Sequence, residues 1–345
     1  MTESSLRLVL CAAAIALLAA CATPPAPDAS QAGAISAPGP VAVQVIRGEW
    51  RDPARDRTVP YKLYLPAGSA AAPVVIFSHG LGGSREAATF LLQYLAENGF
   101  AVVALQHPGS DAALLGGETD PQRAIARLSS AVGDPRAAVG RFGDIRFAID
   151  QLTAANALGP LAGRFDLSRL GLSGHSYGAL TTLVSVGQKL GGPAPERFRD
   201  PRIKAAIVYS PNAPRNQDPA AVLGDIRTPI LHFTGTADRT PFDLEQSPEG
   251  RQIPFRTITG ADQYLIVFEG GDHMIYSGRV QSGGAMTEAQ QRQTEAIEHE
   301  TLTFWKAYLL DDSAALAELC DLPGQIRPIG VGEVKAAHCT GVPIR

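Results

Sequence analysis

Three residues, in the chain order Ser176, Asp238, His273, have the types needed for nucleophilic acyl transfer. Ser176 stands at the centre of Gly174-His175-Ser176-Tyr177-Gly178, where the flanking glycines remove side chains that would crowd a sharp strand-to-helix turn and so let a serine hydroxyl stand clear of it. A serine hydroxyl is a weak nucleophile until an adjacent base takes its proton. His273 is the candidate base, and Asp238 is the carboxylate that would hold the imidazole in the accepting tautomer and stabilise the imidazolium that forms. Asp272 and Asp243 are the neighbouring carboxylates; Asp272 adjoins His273, where side chains of successive residues point apart, and Asp243 lies deeper in the loop after Pro241.

The reaction also needs backbone N–H groups aimed at the oxygen on which negative charge develops. Tyr177, directly after the serine, supplies one candidate. The loop His79-Gly80-Leu81-Gly82-Gly83 supplies the other through Leu81, with glycines that let the backbone approach a carbonyl closely and His79 as a residue that fixes the loop. His107 and Met274 are the candidate substrate contacts, His107 being open also to a structural hydrogen-bonding role. No cluster of Arg or Lys is positioned by a motif to clamp an anion, which points to uncharged substrates with short to medium acyl chains.

These residues are useful only if something brings them to one place. Apolar runs at 73–78, 100–105, 203–210, 229–234 and 263–268, with Leu170-Gly171-Leu172 before the serine, read as strands buried on both faces. Ser176, Asp238 and His273 each follow such a run, so a mostly parallel sheet would gather all three at the carboxyl ends of its strands. Strands at 41–46 and 58–66 open the sheet, and Pro60 argues that the second is an edge or begins late. Helices are expected at 85–97, 137–155 and 286–310. The stretch from Ala112 to Pro135, with a short helix at 125–128, reads as a small cap or entrance loop, too short for a large lid.

The N-terminal segment has a different character. Residues 1–20 hold a short apolar run ending in Leu18-Ala19-Ala20-Cys21, the pattern of an export signal whose cysteine becomes a lipidated first residue; an ordinary cleavage site is the alternative. Residues 21–40 are rich in Ala, Pro and Gly and read as a tether, leaving 41–345 as the folded domain. The expected location is the cell envelope, attached to the outer membrane of a bacterium, or else periplasmic or secreted. In that compartment the remaining pair, Cys320 and Cys339, is expected to form a disulfide closing the C-terminal tail, with His338 too isolated to complete a metal site. A net charge of -4 provides no basic field for nucleic acid, and no motif calls for a cofactor or metal.

From about Val41 to Leu310 the chain resembles the α/β-hydrolase superfamily. Within it, Ser78-His79-Gly80-Leu81-Gly82 together with Gly174-His175-Ser176-Tyr177-Gly178 is similar to the platelet-activating-factor acetylhydrolase group and to bacterial proteins described as predicted dienelactone hydrolases. The resemblance implies an α/β fold with a mostly parallel central sheet flanked by helices, and hydrolysis of carboxylic esters through an acyl-enzyme on Ser176. It implies no metal or cofactor, and an oxyanion N–H from Leu81. True dienelactone hydrolases use cysteine where this chain has Ser176, so the lactonase activity does not carry over, and Ala179 stands where the acetylhydrolase elbow generally has a second glycine. The same phrases occur in lipases and cutinase-like polyesterases, which makes a general carboxylesterase the expectation; a peptidase and a non-catalytic surface-binding protein are the remaining alternatives.

Overall fold

A computed structural model describes residues 39–68, 70–214, 216–240, 246–279 and 285–339. Nine strands among them form one sheet in the order β1-β2-β4-β3-β5-β6-β7-β8-β9. The opening hairpin, β1 (Val43–Asp52) and β2 (Arg57–Pro66), is antiparallel, and β2 runs antiparallel to β4 (Ala101–Leu105). From there the sheet is parallel through β3 (Ala72–Ser78), β5 (Phe165–His175), β6 (Ile203–Tyr209), β7 (Ile230–Ala237) and β8 (Gln263–Asp272). β9 (Gly330–Lys335) closes the far edge antiparallel to β8.

The near-continuous apolar runs fold as strands because both faces of the sheet are covered. Along β3, Val74 and Ile76 enter one apolar layer while Val75 and Phe77 enter the other, and β4 divides Val103 from Val102 and Ala104 in the same way. One layer is roofed by α1 (Thr89–Glu97) together with Phe304 and Trp305 of the long α7 (Glu288–Leu309). The other is roofed by α3 (Pro135–Ala157), through Ile145, Ala148, Ile149 and Leu152, and by α4 (Tyr177–Val186). Between β4 and α3 the chain makes a 3₁₀ turn at Ala112–Leu115 and then α2 (Pro121–Ala131), whose N-terminus is capped by Asp120 accepting from the Arg123 N–H.

Some elements depart from the expected ones. The first helix begins at Thr89 rather than 85, because Ala88 takes a left-handed conformation (φ 55°) and breaks the turn before it. β2 is interior, not an edge. Pro60 is tolerated because pairing with β4 starts only at Tyr61, while the Pro60 carbonyl still accepts from the Gln106 N–H. The C-terminal segment contributes β9, reached through α8 (Ser313–Cys320) and α9 (Leu322–Ile326), where only a closed tail was expected. The Cys320–Cys339 disulfide spans this segment. The sheet-bearing unit begins at Pro40, and Cys21 with residues 1–38 lies outside the described residues.

Candidate active site

β5 ends at His175, α4 begins at Tyr177, and Ser176 alone makes the turn, with φ 56° and ψ −111°. A non-glycine residue in that region is strained, and the surroundings hold it there. The Ser176 N–H donates to the Tyr209 carbonyl of β6 at 2.9 Å. A Cβ on Gly174 would sit 2.2 Å from the Gly178 carbonyl oxygen, and one on Gly178 would sit 1.8 Å from the Ser78 carbonyl oxygen, so the first glycine lets the turn close on itself and the second lets it approach β3.

Asp238 follows β7 and is fully buried. One carboxylate oxygen, Oδ1, lies 2.7 Å from His273 Nδ1; the other accepts from Ser210 Oγ (2.5 Å) and Thr234 Oγ1 (2.8 Å). Burial alone would raise this carboxyl, but the His273 hydrogen bond and the neighbouring charge of Arg251 outweigh it and hold the pKa below the usual carboxylate range. His273 follows β8. Burial lowers its pKa, and the Asp238 partner offsets part of that. Its Nδ1 is committed to Asp238, while the ring lines a cavity that Ser176 also lines. No hydrogen bond joins Ser176 Oγ to the ring among the described residues, a looseness common where no substrate is bound. Asp272 instead caps the following turn, accepting from the Met274 and Ile275 N–H groups, and Asp243 lies outside the described residues.

The loop after β3 lies beside the elbow. The His107 N–H donates to His79 Nε2, which makes that nitrogen the acceptor and leaves the proton on Nδ1, hydrogen-bonded to the Gly80 carbonyl at 2.6 Å. The Gly82 N–H is taken by the Ser110 carbonyl and the Gly83 N–H by the Gly80 carbonyl. Neither the Leu81 nor the Tyr177 N–H has an acceptor among the described residues. Both residues line the cavities beside Ser176.

His107 is a correction. It is fully buried and lines neither cavity at Ser176; Nδ1 meets Asp144 Oδ2 (2.9 Å) and Nε2 meets Ser78 Oγ (3.0 Å), so it holds the rim from beneath instead of contacting a ligand. Burial pushes its pKa down to about 4, so it is neutral at pH 7. Met274 does line a cavity.

Two cavities meet at Ser176. The smaller, about 210 Å³, is walled mostly by Leu81, Val132, Ala138, Tyr177 and Leu180, with Asn212, Thr240 and Arg251 at its polar side. The larger, about 380 Å³, lies on the His273 side against Gly80–Gly83, with Leu115, Ile125 and Leu128 from the segment between β4 and α3. Its wall also holds Arg239 and Arg279. They follow β7 and the turn after His273, and no motif marks them. Among the described residues one metal-like group occurs, Cys320, His338 and Cys339, and its two sulfurs are bonded to each other.

Sequence reasoning missed Arg251, which is 1% exposed. Its Nε is 2.8 Å from Asp238 Oδ1, and Nη1 donates to the Ser210 carbonyl (3.0 Å) and Asn212 Oδ1 (2.8 Å). A lone arginine in a polar loop carries no signal of such burial. Ser210 and Thr234 did carry one, as polar residues ending apolar strands at the ligand-bearing rim. His175 was also missed as a support: its Nε2 donates to the His273 carbonyl at 2.8 Å.

A family model described as platelet-activating factor acetylhydrolase, isoform II, matches residues 32–124. That family lies in the α/β-hydrolase superfamily, and the sheet order and helical layers agree with it. The chain has the α/β-hydrolase fold. The matched stretch covers β1 to β4 and the Leu81 loop of this fold and ends before Ser176. It supports an ester hydrolase. No curated protein matches the chain.

Proposed function

We propose that the protein is a serine carboxylic-ester hydrolase in which Ser176, Asp238 and His273 are the nucleophile, the acid and the base. The observation that carries this reading is the 2.7 Å Asp238–His273 pair facing a cavity shared with a strained Ser176. Ser176 Oγ attacks the ester carbonyl as its proton passes to His273 Nε2, and the carbonyl electrons move onto oxygen, held by the Leu81 and Tyr177 N–H groups. The imidazolium, stabilised by Asp238, then gives that proton to the departing alcohol oxygen, leaving an acyl group on Ser176. The same imidazole takes a proton from water as it attacks the acyl carbonyl, and returns it to Ser176 Oγ as the Oγ–acyl bond breaks and the acid leaves.

Because His273 protonates the leaving alcohol, the cavity beside it takes the alcohol portion and the smaller apolar cavity takes the acyl chain. A space of about 210 Å³ favours short to medium, uncharged acyl groups. The alcohol side is wider and its wall includes Arg239 and Arg279, which supports a second reading, a phospholipid acetyl-ester hydrolase, since guanidinium groups suit a phosphate. Lipase, polyesterase and peptidase activities are the competing outcomes.

Ser176→Ala should abolish turnover and labelling by an organophosphonate, and Asp238→Asn should lower kcat on the order of 10⁴-fold. A substrate panel then assigns the class: p-nitrophenyl esters of graded acyl length, an acetylated phospholipid, a dienelactone, a peptide amide and a triglyceride emulsion. Activity surviving in Ser176→Ala would overturn the mechanism, and activation at the emulsion surface would make the enzyme a lipase. We further propose attachment to the cell envelope through a lipid on Cys21. Mass spectrometry finding that cysteine unmodified at the mature N-terminus would refute it.

A further inference from the structure

The oxyanion assignment places two N–H groups on different segments, and nothing in either segment alone sets their separation. Arg141 of α3 connects the two. It is fully buried, and its guanidinium reaches four acceptors on three parts of the chain. Nε donates to Thr181 Oγ1 in α4 (2.8 Å), Nη1 to Ser110 Oγ after β4 (2.9 Å), and Nη2 to Ser78 Oγ at the end of β3 (3.0 Å) and to the His79 carbonyl. Its Cζ also lies 4.6 Å from the centre of the Tyr177 ring. Thr181 Oγ1 in turn donates to the Tyr177 carbonyl at 2.9 Å.

Every hydrogen-bond acceptor around Arg141 is uncharged, and no ion pair to it occurs among the described residues. Burial draws its pKa down to about 9, which still leaves it charged at neutral pH. The charges of Asp144 and Asp111 offset only part of the cost of burying a guanidinium whose hydrogen-bond partners are neutral, and an apolar side chain of similar volume would fill the space without that cost. What an apolar side chain would not provide is the planar fork, which fixes the directions of several acceptors at once. Those acceptors flank the oxyanion segments: Leu81 lies two residues beyond His79, and Tyr177 lies under the guanidinium itself. Asp144, also on α3, braces the opposite side by holding His107, whose N–H donates to His79.

We infer that Arg141 is a positioning residue that sets the spacing of the Leu81 and Tyr177 N–H groups for the oxyanion. The inference rests on the serine-esterase reading, and it assigns Arg141 no contact with substrate.

Arg141→Met and Arg141→Lys, made in the full chain, test it beside Ser176→Ala. A misplaced oxyanion donor predicts that kcat falls on the order of 10²-fold in the Met variant, with KM changed by less than about threefold. Affinity for a trifluoromethyl ketone, which places an oxyanion in the same hole, should fall in parallel with kcat/KM. Inhibition by an unreactive amide of the same shape should stay as it was. Lysine should restore little, because its ammonium cannot span the four acceptors. Should Arg141→Met fail to fold, Thr181→Val removes one acceptor, keeps the volume, and should show the same pattern on a smaller scale. Kinetics as in the parent enzyme in a folded Arg141→Met, while Ser176→Ala is inactive, would overturn the inference and leave the esterase reading standing. So would a fall in kcat with ketone affinity unchanged. Turnover surviving in Ser176→Ala would instead overturn the reading beneath it.

Discussion

His273 can accept a proton from Ser176 only as the neutral imidazole, so the acid limb of the pH profile reports its titration. Burial disfavours the imidazolium and Asp238 only partly offsets this, which leaves the pKa below the ordinary histidine value of about 6.5. We therefore expect kcat/KM to hold its plateau below pH 6.5 and to fall only at more acidic pH. An acid limb centred above about 6.5 in a titration with a neutral ester would contradict the burial that the structure gives this ring. Arg251 belongs to the same balance, because its charge helps keep Asp238 ionised while disfavouring the imidazolium.

At the scale of elements, β9 and the disulfide form a closing device away from the chemistry. All six residues of β9 pair with Gln263–Phe268 of β8, whereas His273 lies beyond the other end of that strand. The Cys320–Cys339 bond closes a loop with a sequence separation of 19, and cross-linking a loop of that size stabilises a fold by about 3 kcal/mol, mainly through the unfolded chain. The double variant Cys320→Ser with Cys339→Ser should lose about that much in urea unfolding while keeping kcat within about twofold at 25 °C. A variant as stable as the parent would show that the bond constrains nothing that the β9 pairing does not. Equal loss of activity and stability would show instead that the edge of the sheet supports the His273 loop.

For the whole molecule, the histidines set the response to acid. Five of the seven, His79, His107, His175, His232 and His273, are buried, and burial lowers the pKa of each. In the unfolded chain histidines take up protons below about pH 6.5, while the folded protein resists until lower pH, so the unfolded state binds more protons in that window. The stability these residues contribute is complete above about pH 6.5 and is lost as the pH falls toward about 4, where His107 and His232 charge in the folded state. Tm measured from pH 8 downward should hold and then drop across that window. A Tm independent of pH between about 7 and 4.5 would mean that these rings are not held neutral.

The chain alone determined where the chemistry could lie. Ser176 is flanked by Gly174 and Gly178, where any Cβ would fall 2.2 and 1.8 Å from backbone oxygens, and a steric need of that kind is written in residue type. The apolar runs before Ser176, Asp238 and His273 likewise encode strands, because a strand buried on both faces must be apolar throughout. What tertiary structure decided was the fate of polar residues, whose type is the same whether water or protein satisfies them. Arg141 and Arg251 look like ordinary surface arginines in sequence, and only packing buries both. His107 was open to a substrate contact or to a structural hydrogen-bonding role, and the hydrogen bonds of Asp144 and Ser78 give it the structural one. Arg239 and Arg279 reach the wall of one cavity because β7 and β8 are neighbours, a proximity that sequence spacing does not encode.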